Sequence, residues 1–216
     1  MKKKIIINFL VFIIAFMFVC PINAKEIQEN DDVTLNFREF SYTTNEISSS
    51  SRIEYISDKY TERYEVYDSE TNLLTDVFCV EYLAEEKEKT RNTYTAFFTY
   101  YKHIYSGSES IVNLKFTVCV TLFKEGSFRS FQSIHYTNLT IDDSISVMSL
   151  TNTSQAAWSH TGSFPCTRID FAYSTTITCT LNVSFIIKQK LLNAGFSMGA
   201  YFYKSVNASG TFNLYQ

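Results

Sequence analysis

The chain has 216 residues, of which 45% are hydrophobic, 16% aromatic and 19% charged. That is enough apolar material for one sizeable core and too much for a disordered chain. Six glycines and two prolines exclude collagen-like and Pro/Gly low-complexity classes, and no internal period of about 20–50 residues points to a solenoid.

The first 24 residues have three parts: Lys2, Lys3 and Lys4, an apolar run from Ile5 to Val19, and the small-residue ending Pro21-Ile22-Asn23-Ala24. This order of charge, apolar core and small residue is the layout of a cleavable secretory signal peptide. The run falls short of the ~20 residues that span a bilayer, which sets aside but does not abolish the alternative of an uncleaved anchor. Cys20 follows Met17-Phe18-Val19, whereas a lipid-modified cysteine needs a small neighbour. Cleavage after Ala24 leaves a single domain, residues 25–216, with 16 basic against 22 acidic side chains and a net charge of about −6. An acidic domain without a basic cluster is a poor nucleic-acid binder, since phosphate recognition needs cations to release counterions. The expectation is a secreted, extracellular protein, and the richness in Lys, Ile, Asn, Phe and Tyr points to a bacterial source.

Four cysteines remain after the leader, Cys79, Cys119, Cys166 and Cys179. An even count in an exported chain allows one or two disulfides in any of three connectivities, with buried thiols as the alternative. The absence of a Cys-x-x-Cys pair argues against a zinc ribbon.

From residue 33 onward the pattern is period-two alternation in segments rich in Thr, Tyr, Phe, Val and Ile, which predicts half-buried strands. Strands are expected at Val33–Arg38 and Arg52–Ile56. Arg63–Tyr67 and Leu74–Tyr82 flank the polar turn Asp68-Ser69-Glu70-Thr71-Asn72 as a hairpin. Ala84–Arg91 is the one dense charge run and reads as a solvated loop or a helical turn. Tyr94–Tyr105 and Ile111–Phe123 follow, joined by Ser106–Ser110. Val112, Leu114, Phe116, Val118, Val120 and Leu122 share one face of the second strand, so that face is core.

Phe128–Ile141 and Ile145–Leu150 come next, and then a polar stretch, 151–163, reads as irregular, with a short helix at Ser154–Trp158. The alternation from Ile169 to Ile187 is the strongest in the chain. As one strand it would extend about 60 Å, so it must bend between two sheets or break at a turn near Tyr173–Thr176. Phe196–Lys204 and Thr211–Tyr215, around Asn207-Ala208-Ser209-Gly210, read as a closing hairpin. Strands joined by short polar turns imply an all-β fold with antiparallel pairing. A β-sandwich is the favoured architecture, and a barrel-like or elongated β fold is the alternative.

Catalytic signals are sparse. Gly195-Phe196-Ser197-Met198-Gly199 resembles, over five residues, the nucleophile elbow of α/β-hydrolases. That family places an acid and a histidine after the serine, and nothing downstream of Ser197 is Asp, Glu or His. His103, His135 and His160 have no acid or cysteine at ligand spacing. Asp142 with Asp143, or Glu85 with Glu86, could supply the two carboxylates of a glycosidase, but adjacent acids are more simply turn and loop solvation. The sequence therefore assigns no catalytic residue, metal ligand or cofactor.

The aromatics carry more information. Phe97, Tyr101 and His103 lie on one face of their strand, and Ala96, Phe98 and Tyr100 on the other, so both faces bear rings. Exposed rings stack on sugars or anchor protein contacts; covered rings are merely core. The leading expectation is a secreted binding module that contacts a glycan or a protein surface through Phe97, Tyr101 and Trp158. The alternative is a small β-pore-forming or membrane-active protein, the one reading in which a membrane is a partner, because a spanning strand needs only ~9–11 alternating residues. An extracellular hydrolase ranks third.

Overall fold

A computed structural model describes residues 32–83 and 92–215. The leader and the charge run at 84–91 lie outside the described residues. The strands are β1 (Val33–Asn36), β2 (Phe40–Thr44), β3 (Arg52–Ser57), β4 (Thr61–Tyr67), β5 (Leu74–Tyr82), β6 (Thr93–Ser106), β7 (Glu109–Glu125), β8 (Phe128–Ser144), β9 (Met148–Ser159), β10 (Arg168–Cys179), β11 (Ser197–Met198) and β12 (Phe202–Leu214). A nine-residue helix, α1 (Phe185–Asn193), lies between β10 and β11.

The strands form two antiparallel sheets, and neither closes into a barrel. One has the order β1-β2-β12-β10-β9, with β11 also paired to β12; the other runs β3-β4-β5-β6-β7-β8 in chain order. The meander of the second sheet follows from its short polar turns. Asp68 accepts from the backbone N–H of Thr71 at 2.7 Å and Asn72 takes a positive φ of 56°, which closes the turn between β4 and β5. Gly107 and Gly126, both at φ 59°, turn β6 into β7 and β7 into β8.

The inner faces pack ring against ring. Phe40 meets Phe98 at 4.8 Å, Tyr42 meets Phe78 at 4.8 Å, and Phe116 meets Phe171 at 5.2 Å, each pair joining one sheet to the other. Much of the aromatic content is therefore core. The alternation of β7 is realised as expected: Val112, Leu114, Phe116, Val118, Val120 and Leu122 are all buried.

Three expectations are corrected. The run Ile169–Ile187 does break, but not at a turn near Tyr173–Thr176, where there is only a register shift within β10: β10 ends at Cys179, and Ser184 caps α1 by accepting from the Ile187 N–H at 3.3 Å. Local capping chemistry overrides the continued alternation there. The stretch 151–163 is not an irregular loop with a helix, because residues up to Ser159 form β9, an edge strand paired to β10. A register shift with Asn152 at a positive φ of 51° interrupts the period of two, so its Ser, Thr and Gln look like loop. Finally, Asn207–Gly210 is not a turn but the interior of β12. Gly210 faces inward, where a Cβ would lie 2.4 Å from Cε2 of Tyr42 and 2.9 Å from Cε1 of Phe171. The glycine admits close packing rather than a bend.

The disulfide expectation is overturned as well, since all four cysteines are free thiols. Cys79 on β5 and Cys119 on β7 have β6 between them. That places their backbones ~9.5 Å apart, against the ~7 Å limit for a bridge. Cys166 precedes β10 and is bridged to Phe131, whereas Cys179 ends the strand.

Candidate functional site

The pairing registers bring one row of side chains across the outer face of the first sheet. Thr34 on β1 pairs with Thr43 on β2, Thr43 with Thr211 on β12, Thr211 with Asp170 on β10, and Asp170 with Trp158 on β9. Directly opposed residues point to the same side of a sheet. Trp158 therefore stands on the outer face, 44% exposed, beside a line of hydroxyls and one carboxylate. The adjacent row, Ser209, Ala172 and Ala156, consists of small side chains and leaves space in front of the indole. The result is a shallow groove of about 250 Å³ that Asp32, Asn45, Ser209 and the Thr43–Trp158 row border.

Asp170 is the fixed point of the groove. Its Oδ1 accepts from Thr211 Oγ1 at 2.7 Å and from Arg168 Nε and an Arg168 terminal nitrogen, both at 3.1 Å. Its Oδ2 accepts from His160 Nδ1 at 2.9 Å. Partial burial alone would raise the carboxyl's pKa, but the hydrogen bonds from Thr211, His160 and Arg168 outweigh it and hold the value below the usual carboxylate range. The group is thus a held anion whose orientation three neighbours determine. His160 is placed by the strand ladder, donating its backbone N–H to Arg168 O at 3.1 Å.

Phe97 and Tyr101 lie elsewhere. β6 turns them to the outer face of the second sheet, on the far side of the core from Trp158. There Phe97 and Tyr136 flank a groove of about 320 Å³ with Thr99, Thr117, Lys115 and Glu81. Tyr101 already has a cation over its ring, Lys115 Nζ at 5.4 Å from the centroid. Phe97 and Tyr101 are both half-buried. The three rings singled out in the sequence do not form one strip: two share a face and the third is opposite.

The remaining candidates are dispersed. His103 Nδ1 meets Asn113 Oδ1 at 2.7 Å and His135 Nε2 meets Thr121 Oγ1 at 2.7 Å. Among the described residues no group of three or more His, Cys, Asp or Glu is arranged to hold a metal ion. Ser197 belongs to a two-residue strand that follows a helix, with Gly195 at φ 78° ending that helix. This is the reverse of the strand-to-helix turn of a nucleophile elbow.

Asp170, Thr211 and Thr43 are not singled out by the sequence, and His160 stands there only as an isolated histidine, because Trp158 reads as part of a loop. A signal was present: Asp170 is the one acid on a strand face that otherwise holds Arg168 and then only Ala, Ser and Thr. No protein-family model matches this chain, and no curated protein or solved structure matches it either.

Proposed function

We propose that the protein is an exported β-sandwich binding module that takes a glycan in the Trp158 groove. The observation that carries this reading is an exposed indole beside a carboxylate fixed by three donors, on a floor of small and hydroxylated side chains. The C–H face of a pyranose stacks on an indole, and its hydroxyls pair with a positioned carboxylate and with Ser and Thr oxygens. A groove of about 250 Å³ is small against the ~300–1,000 Å³ of drug-sized sites, which suits one sugar unit of a chain that continues across an open surface. A protein partner is favoured less, because the cores of protein interfaces are aromatic and this face carries one ring among hydroxyls. Secretion, with Met1–Ala24 as the cleaved leader, belongs to the same reading, and the mass of the protein recovered from the medium tests it.

Trp158 is the only tryptophan in the chain, so its intrinsic fluorescence reports on the groove alone. The test is retention on insoluble cellulose, chitin and peptidoglycan, together with titration by their soluble fragments. The expected result is retention on at least one polymer, a change in Trp158 emission on titration, and loss of retention in Trp158→Ala. Retention that Trp158→Ala leaves unchanged, or no retention on any polymer, overturns the reading.

A further inference from the structure

The second sheet ends in a strand whose side chains are all in solvent. Each of the six residues of β3, Arg52–Ser57, is exposed, and the pairing with β4 keeps one register from Arg52↔Tyr67 to Ser57↔Glu62. In the turn that follows, Asp58 donates its backbone N–H to Thr61 O at 2.9 Å. The backbone groups of successive strand residues point to alternate sides. Ile56, Glu54 and Arg52 therefore face β4 as Asp58 does, while Ile53, Tyr55 and Ser57 turn their N–H and C=O groups outward. None of these outward groups has a hydrogen-bond partner among the described residues.

Natural sheets blunt such an edge with a very short strand, a bulge or a proline. The other edges follow that rule: β1 has four residues, and β8 and β9 meet their neighbours with register shifts. β3 has none of these devices. The side chains are also interrupted there. Phe116, Tyr100, Phe78, Tyr64 and Tyr55 oppose one another pair by pair from β7 to β3, which makes one row of rings on the inner face of the sheet. Phe116, Tyr100 and Phe78 are buried, whereas Tyr55 ends the row 48% exposed, with Ile53 on the same face at 37%.

We infer that β3 pairs antiparallel with β3 of a second copy of this chain about a two-fold axis at Tyr55, so that two six-stranded sheets become one. The axis position follows from charge and from the turns. An axis at Glu54 would oppose Glu54 with Glu54, and one at Ile56 would oppose Glu54 with Asp58; like charges directly opposed destabilise a pair of strands. An axis at Ile53 would run half of each strand along residues 48–51 of the other copy, a turn in which Ser51 N–H is already given to Ser48 O. With the axis at Tyr55, Ile53 opposes Ser57 and Tyr55 opposes Tyr55, so every outward N–H and C=O is used.

The same register sets Arg52 against Asp58 of the second copy at both ends of the pairing. Arg52 has Glu54 and Asn72 as partners within its own chain and would share its charge with the incoming carboxylate. Asp58 accepts at Oδ1 from the N–H groups of Tyr60 and Thr61, which leaves Oδ2 toward the arginine. This match of the edge to itself favours a second copy over a strand of another protein. A two-fold contact consumes the edge in both copies, so assembly closes at the dimer.

The test is sedimentation equilibrium of the full chain up to about 0.5 mM, because a six-residue edge belongs to the small, weak class of interface. A monomer–dimer equilibrium is expected. Ser57→Pro removes an outward N–H and no hydrogen bond within the chain. It should leave the circular dichroism spectrum unchanged and raise the dissociation constant about tenfold or more. Oxidative cross-linking reads the register. Tyr55→Cys brings two thiols to the axis with Cα atoms ~5.5 Å apart, within reach of a disulfide, and should give a covalent dimer. Glu54→Cys sets its thiols on a diagonal of ~7–8 Å and should give little. The inference falls if the chain stays monomeric over the whole range, if Ser57→Pro dimerises as tightly as the wild type, or if Glu54→Cys cross-links as readily as Tyr55→Cys. Growth beyond the dimer overturns it as well.

Discussion

At one end of the two sheets, Trp158 is exposed among side chains that are already engaged: Asp170 accepts from Thr211, Arg168 and His160. At the other end, Phe185, Ile186, Val147 and Met198 are exposed on a short helix, a turn and the two-residue strand β11. The first end is built before any ligand arrives, since its carboxylate is oriented by the fold, and such preorganisation favours recognition of a ligand with hydroxyls at fixed positions. The second presents exposed apolar side chains, and Lys190 of its helix is engaged by Glu109. Exposure alone does not distinguish a specific site from an adhesive one; the hydrogen bonds around the exposed group do.

Substitutions at the two ends should separate stability from function in opposite ways, and a large effect is expected beneath the Trp158 groove. Gly210 lies in β12 next to Thr211, with its inward face closed by Tyr42 and Phe171. In Gly210→Ala the new methyl meets Tyr42, which is 1% exposed and cannot withdraw. Overpacking of this kind costs about 2 kcal/mol. Urea unfolding followed by circular dichroism should show that loss, and a smaller one would mean that the rings shift readily and that the groove floor is softer than its packing implies.

A smaller effect, confined to acid pH, is expected from Asp170. Its folded-state pKa lies below the ordinary value of 3.8. A carboxyl depressed in the folded state contributes stability that is fully present above its unfolded pKa and is lost as pH falls through the folded value. The wild type should therefore exceed Asp170→Asn by about 1 kcal/mol at neutral pH. The difference should stay constant down to about pH 5 and close below about pH 4. Trp158 emission should change over the same acid interval, because the indole neighbours Asp170 on the sheet.

The contrast between the ends also marks what was readable in advance. Strands with one apolar face were legible: β5 to β8 fall within a few residues of their expected bounds, because burial on one side imposes period two. β9 was legible only at its start, Met148–Leu150: beyond it Asn152 takes a positive φ of 51° and the register shifts, so the period of two is interrupted, and Thr153, Gln155 and Ser159 stand where apolar side chains would declare the face. The helix was hidden for the opposite reason. Leu181, Val183, Phe185 and Ile187 continue the alternation of β10 by type while the backbone turns at Thr180 and Ser184 caps the next element. The groove was lost with β9, because Asp170 meets Trp158 only through strand register. The positions of Phe97 and Tyr101 on one face of β6 were readable, but nothing in the chain told which sheet would lie opposite Trp158.

The smallest stability effect should come from the most exposed ring. Phe185 contacts so little of the fold that Phe185→Ala forfeits almost no burial, and surface changes of this kind fall within about 0.5 kcal/mol. Alanine also has the higher helix propensity, which offsets part of any loss. Leu191, six residues on and fully buried, anchors the same helix and serves as the comparison, since a buried Leu→Ala costs about 3 kcal/mol. If Phe185→Ala were as costly as that, the first turn of α1 would be part of the core and the exposed end would be a structural margin. A near-zero cost places the ring outside the fold's own stabilisation.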